Sequence, residues 1–380
     1  MALDPDTFGQ LTDTIRRFVD ERLRPLEGLV EEQHGVPAEI VAEMREMGLF
    51  GLSIPEEYGG LGLTMSEEVR VVLELGRTTP AFRSVFGTNL GIGSQALVMS
   101  GTPEQKDHWL LRIASGEIIT SFALTEAEAG SDSASVRTRA VRDGEDYIVT
   151  GTKRYITNAD KASLFTVMAR TGEAGSRGVS ALLVPADLPG VSIGTPERKM
   201  GQQGANVCDV NFDEVRVPAA NRLGSEGEGF KIAMRVLDRG RLHISALCVG
   251  IAERLIRDCV GYARERKQFG QPIGDFQLVK AMIADSQTEA MAAKALVLSV
   301  AAQKDAGETT PMEAAAAKYY ASEMVGRVAD RAVQLFGGAG YICDYGIERL
   351  YRDVRLFRIY EGTSQVQQLI IANALLKDDA

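Results

Sequence analysis

The sequence predicts a mostly helical α+β protein with an N-terminal α-helical domain, a middle antiparallel β-sandwich or barrel, and a C-terminal four-helix bundle. The main observation is a change of periodicity, since apolar residues recur at helical spacing at both ends of the chain but not in the middle. The second is length, because 380 residues are too many for one ordinary core. We therefore expect domains at residues 1–117, 118–225 and 226–380.

The N-terminal domain is predicted from apolar residues that share a helical face, such as Leu11, Ile15 and Phe18. Prolines and a glycine pair interrupt this pattern and punctuate helices rather than strands. These breaks lie at Pro25, Pro37, Pro55, Gly59, Gly60 and Pro103.

The middle domain is predicted from short runs of β-branched and aromatic residues. Residues 147–157 contain two such runs with Gly151 between them, which predicts a hairpin. Further runs follow at residues 164–169, 179–184, 190–193 and 207–212. Closely spaced short strands favour a small antiparallel sandwich or barrel.

The C-terminal domain is predicted from four long amphipathic stretches with short turns between them. They cover residues 230–263, 277–306, 312–335 and 364–376. This arrangement indicates an antiparallel bundle.

Composition argues against several classes of protein. The formal net charge of −10 leaves no basic stripe for phosphates, so nucleic-acid binding is not expected. The four cysteines show no metal-binding spacing, and with three histidines beside them no metal site is expected. No stretch has the roughly 20 apolar residues that a membrane span needs, and the first residues do not resemble a signal peptide. The expected location is a bacterial cytoplasm, and a mature mitochondrial matrix chain is the open alternative.

Three segments contain residue types suited to catalysis and cofactor binding. Residues 122–132 predict a strand that ends in a turn of small residues, where backbone amides can approach a ligand. Residues 334–341 contain a glycine-rich turn, and residues 360–365 carry the lone carboxylate Glu361 just before the last predicted helix. By position alone, Glu361 could instead be a first-turn acid stabilised by the helix dipole.

Together these segments resemble the signatures of the acyl-CoA dehydrogenases, flavoproteins that desaturate acyl thioesters between Cα and Cβ, and the resemblance covers nearly the whole chain. It implies that Glu361 removes the α proton while flavin N5 takes the β hydride, which gives a trans-2-enoyl-CoA. Some family members place the base in the first bundle helix, where this chain has Gly240. Since a glycine cannot act as a base, Glu361 is the only candidate base at these two positions.

The resemblance also assigns ligand-binding residues. FAD is expected to contact Phe122, Leu124, Thr125, Gly130, Ser131, Tyr155, Thr157, Arg266, Gln268, Phe269, Ile273, Gln277, Gln334, Gly337, Gly338, Thr363 and Gln365. The acyl-CoA is expected to contact Ser131, Asp238, Arg241, Tyr360, Glu361 and Gly362. Because Asp238 and Arg241 are three residues apart on a predicted helix, a plain surface ion pair is an alternative for them.

The sequence departs from the family pattern at two of these segments. Ala127 stands where the family usually has proline, and Tyr155 stands where many members have tryptophan. A tyrosine can still cover the face of a flavin ring. The departures therefore leave the polar groups of both segments in place.

The family also implies an assembly and a partner. Residues such as Arg266 and Gln334 are expected to face the FAD of a neighbouring subunit, in a homotetramer built as a dimer of dimers. The expected electron acceptor is an electron-transfer flavoprotein. Three alternatives stay open: an oxygen-using oxidase, a dehydrogenase of carrier-protein thioesters, and a non-catalytic module that binds flavin or an acyl thioester.

Overall fold

The computed structural model describes residues 2–377, and its N-terminal part is helical as predicted. The helices are α1 (Pro5–Phe18), α2 (Glu27–Gln33), α3 (Ala38–Glu46), α4 (Met65–Leu75), α5 (Pro80–Leu90), α6 (Gln95–Ser100) and α7 (Pro103–Ala114). Asp4 caps α1 by accepting a hydrogen bond from the Thr7 amide at 3.0 Å, with Pro5 at the first helical position. Thr64 and Thr102 form capping boxes that begin α4 and α7.

The middle part contains one main sheet. Its strands are β1 (Thr120–Ala123), β2 (Arg139–Asp143), β3 (Asp146–Thr157), β4 (Leu164–Arg170), β5 (Val179–Pro185), β6 (Val191–Ile193), β7 (Val207–Pro218) and β8 (Arg222–Leu223). They are ordered β6-β7-β3-β2-β4-β5-β8, and β1 pairs with β4.

The predicted β domain is confirmed, but its sheet is mixed rather than purely antiparallel. β1 runs parallel to β4, and β2 meets β4 in parallel at one position. Strand direction depends on the path of the connections, and the residue pattern of a short strand does not encode it. The sequence could therefore indicate strands here without indicating that two pairings are parallel.

The predicted hairpin at residues 147–157 is wrong, because these residues belong to the single strand β3. The register of β3 against β7 shifts between Val149 and Gly151, which marks a bulge. A Cβ atom at Gly151 would lie 2.6 Å from Thr138 Oγ1. The glycine is therefore needed for a close approach within the sheet and not for a turn.

The C-terminal part contains the predicted bundle. Its long helices are α8 (Gly229–Glu265), α9 (Gln277–Asp305) and α10 (Pro311–Phe336); the short strands β9 (Lys267–Gln268) and β10 (Gln271–Pro272) follow α8, and the shorter helices α11 (Gly338–Tyr341), α12 (Ile347–Val354) and α13 (Ser364–Leu375) end the fold. Four of these helices, α8, α9, α10 and α13, match the four predicted stretches closely.

Three hydrophobic clusters hold these parts together. The largest joins the N-terminal helices to the bundle and includes Phe82 and Leu247. The sheet has its own cluster around Tyr147, and a third cluster joins Phe122 of β1 to Val236 of α8. The sheet is thereby packed close to α5 and to the start of α8. No helix within residues 2–377 is long and apolar enough to cross a membrane.

Candidate active site

Glu361 lies in a tight turn just before α13. Its φ is +56° and that of Gly362 is +87°, so both residues are in the left-handed region, which costs a non-glycine residue about 1 kcal/mol or more. Lys318 donates to the Gly362 carbonyl at 2.6 Å, and Gln367 donates to the carbonyls of both Glu361 and Gly362 at 3.0 Å. Thr363 is the N-cap of α13. Glu361 therefore precedes the cap and is not a first-turn acid.

The Glu361 carboxylate is held away from water. Its Oε2 atom is buried and has no hydrogen-bond partner among the described residues. Burial raises the pKa of Glu361, while the positive charges of Arg83, Arg241 and Lys318 act in the opposite direction. The net result is a carboxyl group whose pKa lies above its ordinary value.

Gly240 of α8 lies against this carboxylate. A Cβ atom at position 240 would lie 2.5 Å from Glu361 Oε2 and 2.9 Å from Oε1. The position that the resemblance gave as the alternative site for a base is thus directly beside Glu361. Its lack of a side chain makes room for the carboxylate.

A cavity of about 390 Å³ surrounds Glu361 and lies between the sheet, α5 and α8. Eleven of the predicted site residues line it: Phe122, Leu124, Thr125, Gly130, Ser131, Tyr155, Thr157, Arg241, Tyr360, Glu361 and Gly362. The structure therefore brings together segments that are more than 200 residues apart in the sequence.

The sheet side of the cavity is fixed by a buried ion pair that the sequence analysis missed. Lys153 donates to Glu126 Oε1 at 2.7 Å and to the Leu124 carbonyl at 2.9 Å. Burial lowers the pKa of Lys153 to about 8, whereas the lysine charge holds the pKa of Glu126 below its usual range. The Arg154 amide also donates to the Thr125 carbonyl at 2.8 Å. These contacts fix the loop that follows β1.

Asp238 and Arg241 form an ion pair at 2.6 Å, but it is not a surface pair. The Arg241 side chain is only 5% exposed, and it lines the cavity near Glu361. Burial raises the pKa of Asp238, although Arg241 opposes this. Asp238 does not line the cavity itself, so it contributes by holding Arg241.

The remaining predicted site residues do not line this cavity. Several lie at the adjoining ends of α8 and α10, where Tyr262 stacks on Phe336 with ring centres 4.1 Å apart. Phe269 is 94% exposed, and only Ile273 of this set is buried. We name as the outer surface the group Arg266, Gln268, Phe269, Gln277, Gln334, Gly337 and Gly338, all exposed in a single chain. Thr363 and Gln365 lie at the start of α13.

Sequence reasoning missed three further ionisable groups in or near the cavity. Arg83 of α5 lines it, His243 of α8 contacts Arg83, and Glu68 of α4 contacts His243. Each stands among apolar residues in a helix, and Val69, Val71 and Val72 follow Glu68. A charged residue on an otherwise apolar helical face was the signal that could have identified them.

The chain matches three family models in sequence order. They describe the N-terminal, middle and C-terminal domains of acyl-CoA dehydrogenases, and they match residues 6–117, 121–215 and 227–376. The chain belongs to the acyl-CoA dehydrogenase family and is an oxidoreductase. Members of this family are flavoproteins, so the family implies a flavin.

Individual relatives agree along nearly the full length. A probable acyl-CoA dehydrogenase of Bacillus subtilis (strain 168) is 41% identical over 367 residues, which are 96% of this chain and 97% of the relative. A caffeyl-CoA reductase-Etf complex subunit of Acetobacterium woodii is 41% identical over 349 residues, 92% of each chain. Butyryl-CoA dehydrogenase from Megasphaera elsdenii has a similar structure, with a TM-score of 0.95 at 33% identity over 99% of this chain and 100% of that one.

Proposed function

We propose that this protein is an FAD-dependent acyl-CoA dehydrogenase that converts an acyl-CoA thioester to its trans-2-enoyl-CoA, with Glu361 as the general base. The observation that carries the proposal is the Glu361 carboxylate, which has a buried, unpartnered oxygen and faces a cavity beside Gly240. Burying a carboxylate oxygen without a hydrogen-bond partner destabilises a fold, so such a group beside a cavity is a candidate for a catalytic role.

The environment of Glu361 suits removal of a weakly acidic α proton. A carboxyl group with a raised pKa is a better base when ionised, and its proton affinity is closer to that of the reacting carbon. Three nearby positive charges keep the ionised form accessible. When the proton is transferred, the carboxylate becomes neutral, which burial favours.

The Glu361 turn also offers a way to hold the thioester carbonyl. In the hydrogen bonds that fix the turn, the carbonyls of Glu361 and Gly362 are the acceptors, and the Glu361 amide takes no part. A backbone amide aimed at the carbonyl oxygen stabilises the charge that develops there as the α proton leaves. We therefore assign the Glu361 amide to this role.

The cavity fits a flavin. The cavity is large, and the hydroxyl groups of Thr125, Ser131 and Thr157 line it. The aromatic ring of Tyr155 lines the same side. When bound, the flavin supplies the hydride acceptor. Because Arg266, Phe269 and Gln334 are exposed outside this cavity, we propose that they hold the FAD of a second subunit within a homotetramer.

One relative supports a proposal for the redox partner. One relative is named as a subunit of a reductase-Etf complex, and we propose an electron-transfer flavoprotein as the redox partner here. The same residues serve both directions, since a protonated Glu361 returns its proton to Cα during reduction of an enoyl thioester.

Anaerobic titration of the FAD-loaded protein with a panel of acyl-CoA esters tests the proposal. We expect one class of ester to remove the flavin absorbance stoichiometrically and to yield a product lighter by two hydrogens, detected by mass spectrometry. If no CoA ester reduces the flavin but an acyl carrier-protein thioester does, the substrate assignment is wrong. If neither does, the protein is a binding module.

A further inference from the structure

Asp353 is a buried carboxylate outside the cavity, on the helix that precedes the Glu361 turn. It is the next-to-last residue of α12 and is only 1% exposed. In the described part of the chain, no nitrogen of a lysine, arginine or histidine side chain lies within 4.0 Å of its carboxylate. Arg352, its neighbour in sequence, pairs with Glu31 and Glu348 instead. Burial raises the pKa of Asp353 to about 6, so the ionised form is held without a counterion.

The Asp353 carboxylate joins two other segments of the chain. Gln202, in the connection between β6 and β7, donates its backbone amide to Oδ1. Thr79 donates its hydroxyl to Oδ2 at 2.9 Å. The Gln202 side chain also donates to the Asp353 carbonyl at 3.0 Å. One residue of α12 thus connects the sheet to the start of α5.

The connection between β6 and β7 lies directly against α12. A Cβ atom at Gly201 would lie 2.7 Å from the Arg352 carbonyl carbon, so the glycine allows the two backbones to touch. Arg352 in turn donates to the Met200 carbonyl at 3.0 Å. Gln202 is buried and has a φ of +53°, a region that is strained for a residue with a side chain. The hydrogen bonds to Asp353 help to hold Gln202 in this conformation.

Thr79 uses its hydroxyl for the contact with Asp353 and not to cap its own helix. It stands at the N-cap of α5, but its side chain makes no cap hydrogen bond. A threonine at this position usually accepts a hydrogen bond from an amide in the first turn. Ser84 and Thr88 of the same helix line the cavity. Asp353 therefore fixes the start of a helix that forms one cavity wall.

α12 leads into the Glu361 turn through one short 3-10 turn. Phe357 of that turn is buried, and its ring centre lies 5.8 Å from that of Tyr360. The Gln202 side chain faces the Tyr360 hydroxyl, and Tyr360 itself lines the cavity. A displacement at Asp353 can therefore reach Glu361 by two routes, along the chain and through Gln202.

We propose that Asp353 is a positioning residue for proton removal, because its hydrogen bonds to Gln202 and Thr79 fix the turn that carries Glu361. This inference rests on the proposed function, in which Glu361 is the base. Since no cation faces the Asp353 carboxylate, hydrogen bonding and not charge is the property that matters. The competing interpretation is that Asp353 only stabilises the fold, in which case its loss lowers the melting temperature and leaves the rate of flavin reduction unchanged.

An asparagine at position 353 separates hydrogen bonding from charge. Its side-chain oxygen can accept from the Gln202 amide, and its nitrogen can donate to Thr79, whose hydroxyl can accept as well as donate. Asp353→Asn should therefore keep both contacts. Asp353→Ala removes both acceptors and leaves the buried Gln202 amide without its partner.

Stopped-flow reduction of the FAD-loaded enzyme by an acyl-CoA ester compares these variants. Because displacement of a catalytic group by about 1 Å can cost about 100-fold in rate, we expect Asp353→Ala to slow reduction by about 30-fold to 100-fold. The apparent Kd for the ester should change by less than about threefold, and Asp353→Asn should restore the rate to within about threefold of the wild type.

Asp305→Ala is the matched control. Asp305 also accepts two backbone hydrogen bonds from another segment, from the amides of Met65 at 2.7 Å and Ser66 at 2.9 Å. It lies at the end of α9 and does not line the cavity. Asp305→Ala should therefore reduce the flavin at the wild-type rate even if its melting temperature falls.

Hydrogen exchange tests the inference without turnover. Amides of residues 359–363 should exchange at least about tenfold faster in Asp353→Ala than in the wild type, and at the wild-type rate in Asp353→Asn. If no ester reduces the wild-type flavin, the proposed function is wrong, and the exchange of this turn alone decides whether Asp353 holds it. If Asp353→Ala does not fold, Thr79→Val replaces it, since it removes one of the two contacts and should slow reduction by about threefold or more. A wild-type reduction rate in the variant that folds, unchanged exchange of the turn, or equal slowing by alanine and asparagine would overturn the inference.

Discussion

The cavity around Glu361 and the outer surface differ in how completely one chain builds them. Around Glu361, five segments converge, and Lys318 and Gln367 fix the turn that carries the carboxylate. On the outer surface, Phe269 is 94% exposed and its polar neighbours point to solvent. The comparison teaches that a single chain assembles the surroundings of Glu361, whereas it leaves the outer surface exposed, which is why we propose that a second subunit completes that surface.

The substitution Gly240→Ala tests the cavity side of this comparison, and we expect the largest effect from it. The new Cβ would lie 2.5 Å from Glu361 Oε2, so the carboxylate must move while the fold is kept. Because displacement of a catalytic group by about 1 Å can cost about 100-fold in rate, we expect flavin reduction to slow by roughly that factor. Stopped-flow absorbance would measure it.

Gly261→Ala is the matched control, since position 261 lies in the same helix and nothing lies within 4 Å of its added Cβ. Both substitutions also gain helix propensity, about 1 kcal/mol each, so stability does not explain a difference between them. Equal reduction rates in the two variants would show that the space beside Gly240 is not needed for catalysis.

Arg266→Met tests the other region. Arg266 is exposed in a single chain, and if it binds the FAD pyrophosphate of a neighbour, its loss should weaken FAD binding about tenfold to a hundredfold. The melting temperature of the apoprotein should change little, because the substitution removes no ion pair within the described chain. Fluorescence titration of apoprotein with FAD measures the affinity.

Arg264→Met, two residues earlier and also exposed, is the control for Arg266→Met and should bind FAD normally. Sedimentation of both variants with and without FAD adds a test of assembly. If Arg266→Met binds FAD as tightly as the parent protein, the outer surface has no part in cofactor binding.

Lys318→Met should have the smallest effect of the three. Gln367 still donates to the Gly362 carbonyl in this variant, so the turn is kept. Lys318 is one of the charges that lower the pKa of Glu361, and removing it should raise that pKa further. Since the ionised carboxylate is the base, the rise of the reduction rate with pH should move to higher pH. Lys280→Met, on the exposed side of α9, should leave the profile unchanged; a shift to lower pH in Lys318→Met would contradict the assignment.

Sequence reasoning predicted the helices and the motif segments well because these depend on local patterns. Glu361 and Thr125 stand in segments that were assigned by their resemblance to the family signatures, and the structure places both residues at the same cavity. Gly151 was misread, since a glycine at a bulge and a glycine in a turn look the same until the partner strand is known.

The contacts that join Arg83 to His243 and His243 to Glu68 could not be predicted for a related reason. His243 and Glu68 are far apart in sequence, and only the packing of α4 on α8 brings them within 2.7 Å. Apolar neighbours in the sequence can mark such a residue as a buried ionisable group, but they do not indicate which residue it contacts. The cofactor contacts that we propose for the outer surface would depend on a second subunit, which the structure of a single chain does not contain.

The most direct test of the central claim is single-turnover flavin reduction by Glu361→Gln. The amide keeps the size of the side chain but cannot accept the α proton, so we predict reduction slower by at least about 1,000-fold, with FAD binding and acyl-CoA binding retained. Glu308→Gln, in the exposed loop before α10, should reduce at the wild-type rate. Flavin reduction by Glu361→Gln within tenfold of the wild type would show that another group is the base.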